Sequence, residues 1–220
     1  MLDKEKYEFN GKEAEVEWDS RLCIHIAECG KSQGELFVGG RDPWCQPDLV
    51  SKTDVAEIVT RCPTGALTFK IRDGSIREQA PGINTLLVSN DGPYYLRGDL
   101  NIEGAPEDMP AIQFRAALCR CGASKNKPFC DNSHEEAGFK DHGAVGVKGD
   151  TLKEKGGKLN IKSLKDAALL IEGNLTIRNG SGRISWQGKQ VGLCRCGASK
   201  NKPFCDGSHI GAGFKDDSRS

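Results

Sequence analysis

The sequence predicts a small, loop-rich α+β protein, with one N-terminal unit followed by two copies of a β-rich repeat. Three observations carry that prediction. Glycine fills 27 of the 220 positions, about 12% where ~7% is usual, so turns and loops take a large share of the chain. One sixteen-residue stretch rich in cysteine occurs twice, and the likeness extends well beyond the cysteines. Elsewhere the apolar residues alternate in short runs, and one segment stands out with the period of an amphipathic helix.

The N-terminal unit spans 1–72. Phe9-Asn10-Gly11-Lys12 reads as a turn, and Ala14, Val16 and Trp18 alternate along a short strand. Cys23 and Cys29 come next, and then a loop rich in Gly, Pro and Asp runs to Pro47. Residues 51–61 form the helix, with Val55, Ile58, Val59 and Cys62 along one side, and Pro63 ends it. Gly65 then turns the chain into an alternating strand over 66–71. Residues 73–91 are a connector with a β-like run from Ile83 to Val88.

The repeat is read from a constant offset. A shift of 75 positions maps Cys119 onto Cys194, and equally Gly98 onto Gly173, Leu100 onto Leu175, Ile102 onto Ile177 and Phe139 onto Phe214. Each copy opens on two short strands (94–97 and 100–102; 169–172 and 175–177), and a third feeds its cysteine stretch (114–118; 191–193). The repeat domains are therefore placed at 83–141 and 159–216. Residues 142–158, rich in Gly and Lys, read as a linker.

Within each copy, three cysteines and a histidine stand at C-x-C-x8-C-x3-H spacing. They are Cys119, Cys121, Cys130 and His134 in the first, and Cys194, Cys196, Cys205 and His209 in the second. Four soft-to-borderline ligands in so short a span make a metal site. The last Cys and the His are four positions apart, so a single helical turn presents both on one face. Asp131 and Asp206 suit the N-cap of that turn. The C-x-C pair is narrower than the pairs usual in structural zinc sites. Two close pairs separated by a long loop suit two irons bridged by sulfide, one pair per iron. A single structural zinc ion bound by three Cys and one His is the competing reading. Phe129 and Phe204 are candidates to shield the sulfurs. Arg120, Lys125 and Lys127, with Arg195, Lys200 and Lys202, are either solvated loop cations or stabilisers of a reduced, more negative centre.

These residues resemble the CDGSH iron–sulfur domain, or NEET, family, whose signature is C-x-C-x2-S-x3-P-x-C-D-G-S-H. The second copy matches throughout, at Cys194, Cys196, Ser199, Pro203, Cys205, Asp206, Gly207, Ser208 and His209. The first departs only at Asn132, which replaces the glycine, and asparagine tolerates left-handed backbone better than most residues. The resemblance implies a 2Fe–2S cluster in each motif, held by its three cysteines and one histidine. It also implies that the two repeats pair about a pseudo-two-fold axis with shared strands, as two protomers of the single-motif homodimers do. The chain would then be a monomer with an internal pseudo-dimer.

Upstream, Cys62-Pro63-Thr64-Gly65-Ala66-Leu67 resembles the last-cysteine segment of bacterial ferredoxins, whose other cysteines follow C-x2-C-x2-C. Cys23 and Cys29 fit the first and third of these, and Ile26, which cannot ligate iron, stands at the second. The likeness is to the divergent single-cluster ferredoxins and implies a ferredoxin-like N-terminal unit. Cys23, Cys29 and Cys62 suit a 3Fe–4S cluster, whose missing corner needs no ligand. Cys45, or more remotely His25, would complete a 4Fe–4S cluster. The plain alternative makes Cys45 a small buried hydrophobe and His25 a surface residue.

The rest of the chain narrows the function classes. A formal net charge of zero gives no general pull toward nucleic acid or anionic membranes. No run of eighteen apolar residues exists to span a membrane, and residues 1–6 carry no apolar leader. Thiolate ligands fit a reducing compartment, hence a cytoplasmic location. Phe37-Val38-Gly39-Gly40-Arg41 lacks the glycine spacing of a dinucleotide fingerprint, and no nucleophile triad is legible. The expectation is therefore an electron carrier without substrate chemistry of its own. It would transfer single electrons through two 2Fe–2S clusters and an N-terminal 3Fe–4S or 4Fe–4S cluster to a redox partner protein. A cluster donor to an apo-acceptor, or a redox or pH sensor, is the second reading. A zinc-binding nucleic-acid module is the third.

Overall fold

The computed structural model describes residues 5–105, 107 and 109–216. Residues 1–4, where the N-terminal unit starts, lie outside these. The observed architecture is a β-rich α+β fold of two sheets and few helices.

Three antiparallel strands, β1 (Lys6–Asn10), β2 (Ala14–Asp19) and β3 (Leu67–Ile71), make the first sheet in the order β1-β2-β3. Strand β1 overrides the expected turn at Phe9: its Phe9 and Asn10 still pair with Val16 and Glu15, so the reversal narrows to the residues around Gly11. The helix α1 (Lys52–Arg61) lies where its periodicity placed it. The Ser51 side chain accepts the Asp54 backbone N–H at its N-terminus, satisfying a donor that the first turn leaves free. Val55, Ile58 and Val59 then bury against Val16, Leu67 and Ile71 of the sheet. The same core takes in the Phe37 and Trp44 rings, stacked with centroids 4.9 Å apart.

The second sheet has seven strands: β4 (Thr85–Val88), β5 (Tyr94–Arg97), β6 (Asp99–Ile102), β7 (Arg115–Leu118), β8 (Lys158–Ser163), β9 (Leu169–Arg178) and β10 (Ile184–Leu193). The two predicted strands of the second copy are one continuous β9, whose full length pairs with β10. On its other edge β9 is shared: β8 pairs with Leu169–Glu172, and β4 pairs in parallel with Thr176, Ile177 and Arg178.

That sharing is reciprocal. Strand β4 of the first copy pairs Leu86 with Ile177 of the second, while β8 of the second pairs Ile161 with Ile102 of the first. Each pair maps onto the other by the offset of 75. Each repeat thus lends its leading strand to the other. Parallel pairing suits this exchange, because the two strands need no tight turn between them. The burial is continuous across the seam: Leu86, Leu96, Leu100, Leu159, Ile171, Leu175 and Ile177 belong to one core. At the crossing Asn84 is fully buried, and its amide nitrogen donates to the Gly157 and Asn174 carbonyls while its oxygen accepts the Asp99 N–H.

Residues 142–158 are not a loose linker. The Asp150 N–H donates to the Gln187 carbonyl, Gly180 donates to Gly143, and the Lys155 carbonyl accepts the Asn84 N–H. Leu152 is buried within the segment. The Gly/Lys composition gives this stretch polar side chains, but its backbone groups are bound to neighbouring strands.

A single buried guanidinium joins the two sheets. Arg115, on β7, donates from Nε and Nη2 to the two Glu78 carboxylate oxygens at 2.5 and 2.8 Å. Its Nη1 donates to the Val59 and Cys62 carbonyls at the end of α1, and Nη2 also to the Leu67 carbonyl of β3. Five donors meet five acceptors, the full capacity of the group. The Arg115 side chain is 1% exposed and that of Glu78 14%, so removing the cation would strand a carboxylate and three carbonyls. Arg115→Met should cost about 3–5 kcal/mol, read as a lower unfolding midpoint in urea, and Arg115→Lys should restore only part of it because an ammonium cannot form the fork.

Candidate metal centres

The two cysteine motifs fold as near-identical loops. β7 and β10 end at Leu118 and Leu193, which bridge to Phe129 and Phe204. The Cys119 N–H donates to the Pro128 carbonyl and the Cys130 N–H to Ala117; Cys194 and Cys205 repeat this with Pro203 and Gly192. Inside the loop the Ser124 hydroxyl donates to the Phe129 carbonyl at 2.7 Å, as Ser199 does to Phe204. Asp131 accepts the Lys125 N–H on one oxygen and the Ser133 N–H on the other, and Asp206 does the same with Lys200 and Ser208. Burial alone would raise the Asp131 carboxyl, but those hydrogen bonds outweigh it and hold it below the usual carboxylate range. The Asp206 carboxyl is held low by the Ser208 hydroxyl and then by backbone N–H groups.

The N-cap position itself falls one residue later than the aspartates. Asn132 (φ 74°) and Gly207 (φ 85°) are both left-handed and precede the short turns α2 (Ser133–Glu136) and α3 (Ser208–Gly211). The asparagine therefore keeps the loop shape that the glycine has. The aspartates act as braces between loop and turn, a role that the expected N-cap did not include.

Each motif presents its four ligands as two close pairs. Cys119 Sγ and Cys121 Sγ are 3.7 Å apart, and Cys194 Sγ and Cys196 Sγ also 3.7 Å. Cys130 Sγ lies 3.4 Å from His134 Nδ1, and Cys205 Sγ 3.4 Å from His209 Nδ1. A tetrahedral metal with bonds of about 2.3 Å to sulfur and 2.0–2.1 Å to nitrogen has S···S and S···N edges of about 3.8 and 3.5 Å. Each pair is thus spaced as one edge of a metal tetrahedron would be. Backbone N–H groups of Ala123, Asn132 and Ala198 point at Cys121, Cys130 and Cys196 sulfurs at 3.4 Å, a donor set suited to thiolates. The hydrogen bond from Cys119 pushes the Cys121 thiol down against the opposing effect of burial, favouring a thiolate there.

The loop arginines are structural. Arg120 and Arg195 are 1% and 2% exposed, so neither is a solvated cation. Arg120 donates to the Gly92 and Ser89 carbonyls and pairs with Asp141; Arg195 donates to Ala167 and Leu164 and pairs with Asp216 at 2.5 Å. Each guanidinium lies over a ring, Phe139 or Phe214. The Lys127 and Lys202 ammoniums donate to the Ser124 and Ser199 carbonyls, while Lys125 and Lys200 are exposed.

The two loops meet back to back. Gly122 (φ 85°) and Gly197 (φ 77°) each face the other loop: a Cβ on Gly122 would stand 2.7 Å from the Cys196 carbonyl oxygen, and one on Gly197 2.5 Å from that of Cys121. The link is not wholly symmetric. The Tyr94 hydroxyl of the first copy lies 2.8 Å from the Cys194 carbonyl and 3.0 Å from that of Pro203. Burial raises the Tyr94 phenol far above its ordinary range, so it stays protonated and donates. Leu169 holds the corresponding position in the second copy.

In the N-terminal unit, Cys23, Cys29 and Cys62 line one cavity of about 340 Å³, together with Trp18, His25 and Thr64. Burial raises the Cys29 thiol, and the nearby Cys62 and Cys23 sulfurs raise it further, as expected of three thiols sharing one space. Thr64 accepts the Ala66 N–H, so its own hydroxyl proton is free to reach Cys62 Sγ, 3.4 Å away. His25 and Ala27 carry positive φ (52° and 67°) without being glycine. Such left-handed positions gather N–H groups into a concavity for an anionic group. His25 Nδ1 is 4.0 Å from Cys23 Sγ, and Ile26 is 41% exposed. Cys45 is not among the lining residues. It is buried beside Phe37 and Leu36 in the core under α1, and burial pushes its thiol up to about 12.

The comparisons with known proteins agree with this layout. Residues 91–135 and 166–210 match the family described as iron-binding zinc finger, CDGSH type. Residues 9–71 match the family described as divergent 4Fe-4S mono-cluster. The chain is also similar to the uncharacterized protein YjdI of Escherichia coli K12 and to that of Escherichia coli O157:H7. Each is 32% identical over 62 residues, which cover 28% of this chain and 82% of the relative. No solved structure matches the chain.

The back-to-back glycines give a direct test of the paired loops. Gly122→Ala and Gly197→Ala should each strain the junction by about 1–3 kcal/mol. Because the clash falls on the partner loop, each substitution should lower the iron bound per chain at both motifs, measured by metal analysis.

Proposed function

We propose an electron-carrying role for this chain, which belongs to the CDGSH-type iron-binding family and adds a divergent 4Fe-4S mono-cluster unit ahead of its two motifs. One observation carries the reading: the three sets of thiols are linked through shared buried residues. Ile24, on the wall of the N-terminal cavity, belongs to the same buried group as Cys130 of the first motif. The first motif in turn abuts the second through Gly122 and Gly197.

In this reading each motif holds a 2Fe–2S cluster, with the C-x-C pair on one iron and the Cys–His pair on the other. The pair geometry suits one metal per pair, with each pair spaced as a tetrahedron edge. Cys23, Cys29 and Cys62 hold the third cluster, of the 3Fe–4S or 4Fe–4S type. If a fourth ligand is used, His25 is better placed than Cys45, because it lines the cavity. Such groups supply one-electron storage without movement of atoms. The protein's part is to hold them, to place N–H and O–H donors at their sulfurs, and to limit solvent, and these set the reduction potential. The reciprocal strand exchange supports an internal pseudo-dimer and hence a monomeric chain. Among the described residues no helix is long and apolar enough to cross a membrane, and the reading places the protein in the cytoplasm with a redox protein as partner.

The half-buried Cys205 and His209 favour a second reading, in which the protein gives up a cluster to an apo-acceptor. Mixing reduced, loaded protein with an apo-ferredoxin and, separately, with an oxidised ferredoxin distinguishes the two. Reoxidation with full retention of iron supports the carrier; iron and sulfide passing to the acceptor supports the donor.

The ligand assignment has its own outcome. Cys23→Ala, Cys29→Ala and Cys62→Ala should each abolish the EPR signal of the N-terminal centre and leave the two 2Fe–2S spectra in place. Cys45→Ala should spare all three. Full iron and sulfide content in every one of the four variants would exclude a cluster in the N-terminal unit.

A further inference from the structure

The two motifs share thirteen consecutive identical residues, from Cys119 and Cys194 onward, yet their surroundings differ on one side. On the C-x-C side they are alike: Cys119 is 3% exposed and Cys194 1%, with Cys121 and Cys196 both half-buried. On the Cys–His side they part. Cys130 is 4% exposed and His134 9%, whereas Cys205 and His209 are both half-buried. The cause lies in the N-terminal unit. Ile24, next to Cys23, is buried with Ala117 and Cys130, and Tyr95 packs on the same group. Beside it the Asn126 amide donates to the Arg21 carbonyl at 2.8 Å, while the identical residue of the second copy, Asn201, is exposed. The position after the histidine is Glu135 in the first copy. In the second it is Ile210, an isoleucine 79% exposed.

We infer that the N-terminal unit seals the Cys130–His134 edge of the first motif, so that the Cys205–His209 edge of the second is the port through which outside molecules reach a metal ligand. The inference rests on the reading of both motifs as cluster sites and adds which of them exchanges with the exterior. Ile24 and the Arg21 carbonyl close over one edge, and among the described residues the other edge stays half-open. Ile24 also lines the N-terminal cavity, so the first motif faces another thiol set of its own chain while the second faces outward. The port fits a one-electron acceptor protein, docking at a half-open edge flanked by the exposed Ile210 side chain.

The test is peptide-resolved. Loaded protein is exposed to a ferrous-iron chelator with iodoacetamide present, and alkylation of each cysteine is followed by mass spectrometry alongside iron release. Cys194, Cys196 and Cys205 should be labelled first, with Cys119, Cys121 and Cys130 lagging. Ile24→Ser opens the seal and should speed labelling of the first set about tenfold while leaving the second unchanged. Asn126→Ala, which removes only the Arg21 hydrogen bond, should act in the same direction and serves if Ile24→Ser does not fold. Equal labelling of the two sets in the parent protein, or faster labelling of the first, would overturn the inference. So would variants that leave the first set slow. A preparation with no inorganic sulfide would instead overturn the cluster reading, and iron analysis before the chelator is added separates that failure from the other.

Discussion

The Arg115 guanidinium is the constraint on which the arrangement of sites depends. A buried cation is stable only when its donors are all met, and here the acceptors come from four residues, on α1 and its C-terminus, β3 and the connector. One of them is the carbonyl of Cys62, a thiol of the N-terminal cavity. The cation itself sits on the strand that leads, four residues later, to Cys119. Gly65 completes the junction: its φ of 81° and the Arg115 carbonyl, 2.7 Å from where a Cβ would stand, leave room for no side chain. The N-terminal thiols and the first motif are therefore fixed to one rigid point and not to two hinged units.

From that point outward the motif loops hold themselves. Serine, aspartate and the left-handed residue each satisfy a specific backbone group, and the same bonds recur in both copies. This local closure presets the four candidate ligand residues, within sixteen positions, as two pairs. The strand exchange then places the two preset loops back to back. Since each repeat supplies a strand to the other, neither could keep its core if separated, and the junction between Gly122 and Gly197 is held by the whole sheet.

What was legible in the sequence follows the range of the interactions. The C-x-C and C-x3-H pairs, the helix over 51–61 and the left-handed Asn132 are local, and spacing or residue type alone reveals them. The membership of Cys23, Cys29 and Cys62 in one cavity was reached through a resemblance and not through periodicity. The exchange of β4 and β8 was beyond an alternating pattern, which shows that a strand is half-buried but not what it pairs with. Charge misled in two places. Arg120 and Arg195 look like solvated loop cations, yet their partners, Asp141 and Asp216, are 21 residues away and invisible to spacing. Likewise the polar composition of 142–158 hides a backbone bonded to β10 and to Asn84. Strand β1, by contrast, is legible in the alternation Lys6-Tyr7-Glu8-Phe9-Asn10; the turn signal Asn10-Gly11 at its end hides it from a reading that starts the turn at Phe9.

Fusion of two motifs in one chain has a consequence that a symmetric pair of chains could not have. In a homodimer both sites carry identical flanking segments, so whatever covers one edge covers the other. Here the repeats exchange strands reciprocally, but one N-terminal unit precedes them, and Arg115, the Asn126–Arg21 hydrogen bond and the Ile24 contact fix where it sits. It can reach one Cys–His edge and not its counterpart. Three of the residues that tell the copies apart lie where this contact is made or missing: Ala117 against Gly192, Tyr95 against Leu170, Glu135 against Ile210. The ligand loops, by contrast, stay identical from the first cysteine through the aspartate. Identical ligands with unequal cover give two centres of the same chemistry but different exposure, and exposure is one of the variables that sets the potential of an iron–sulfur centre. The asymmetry is thus built by one packing contact outside the motif and needs no change within it.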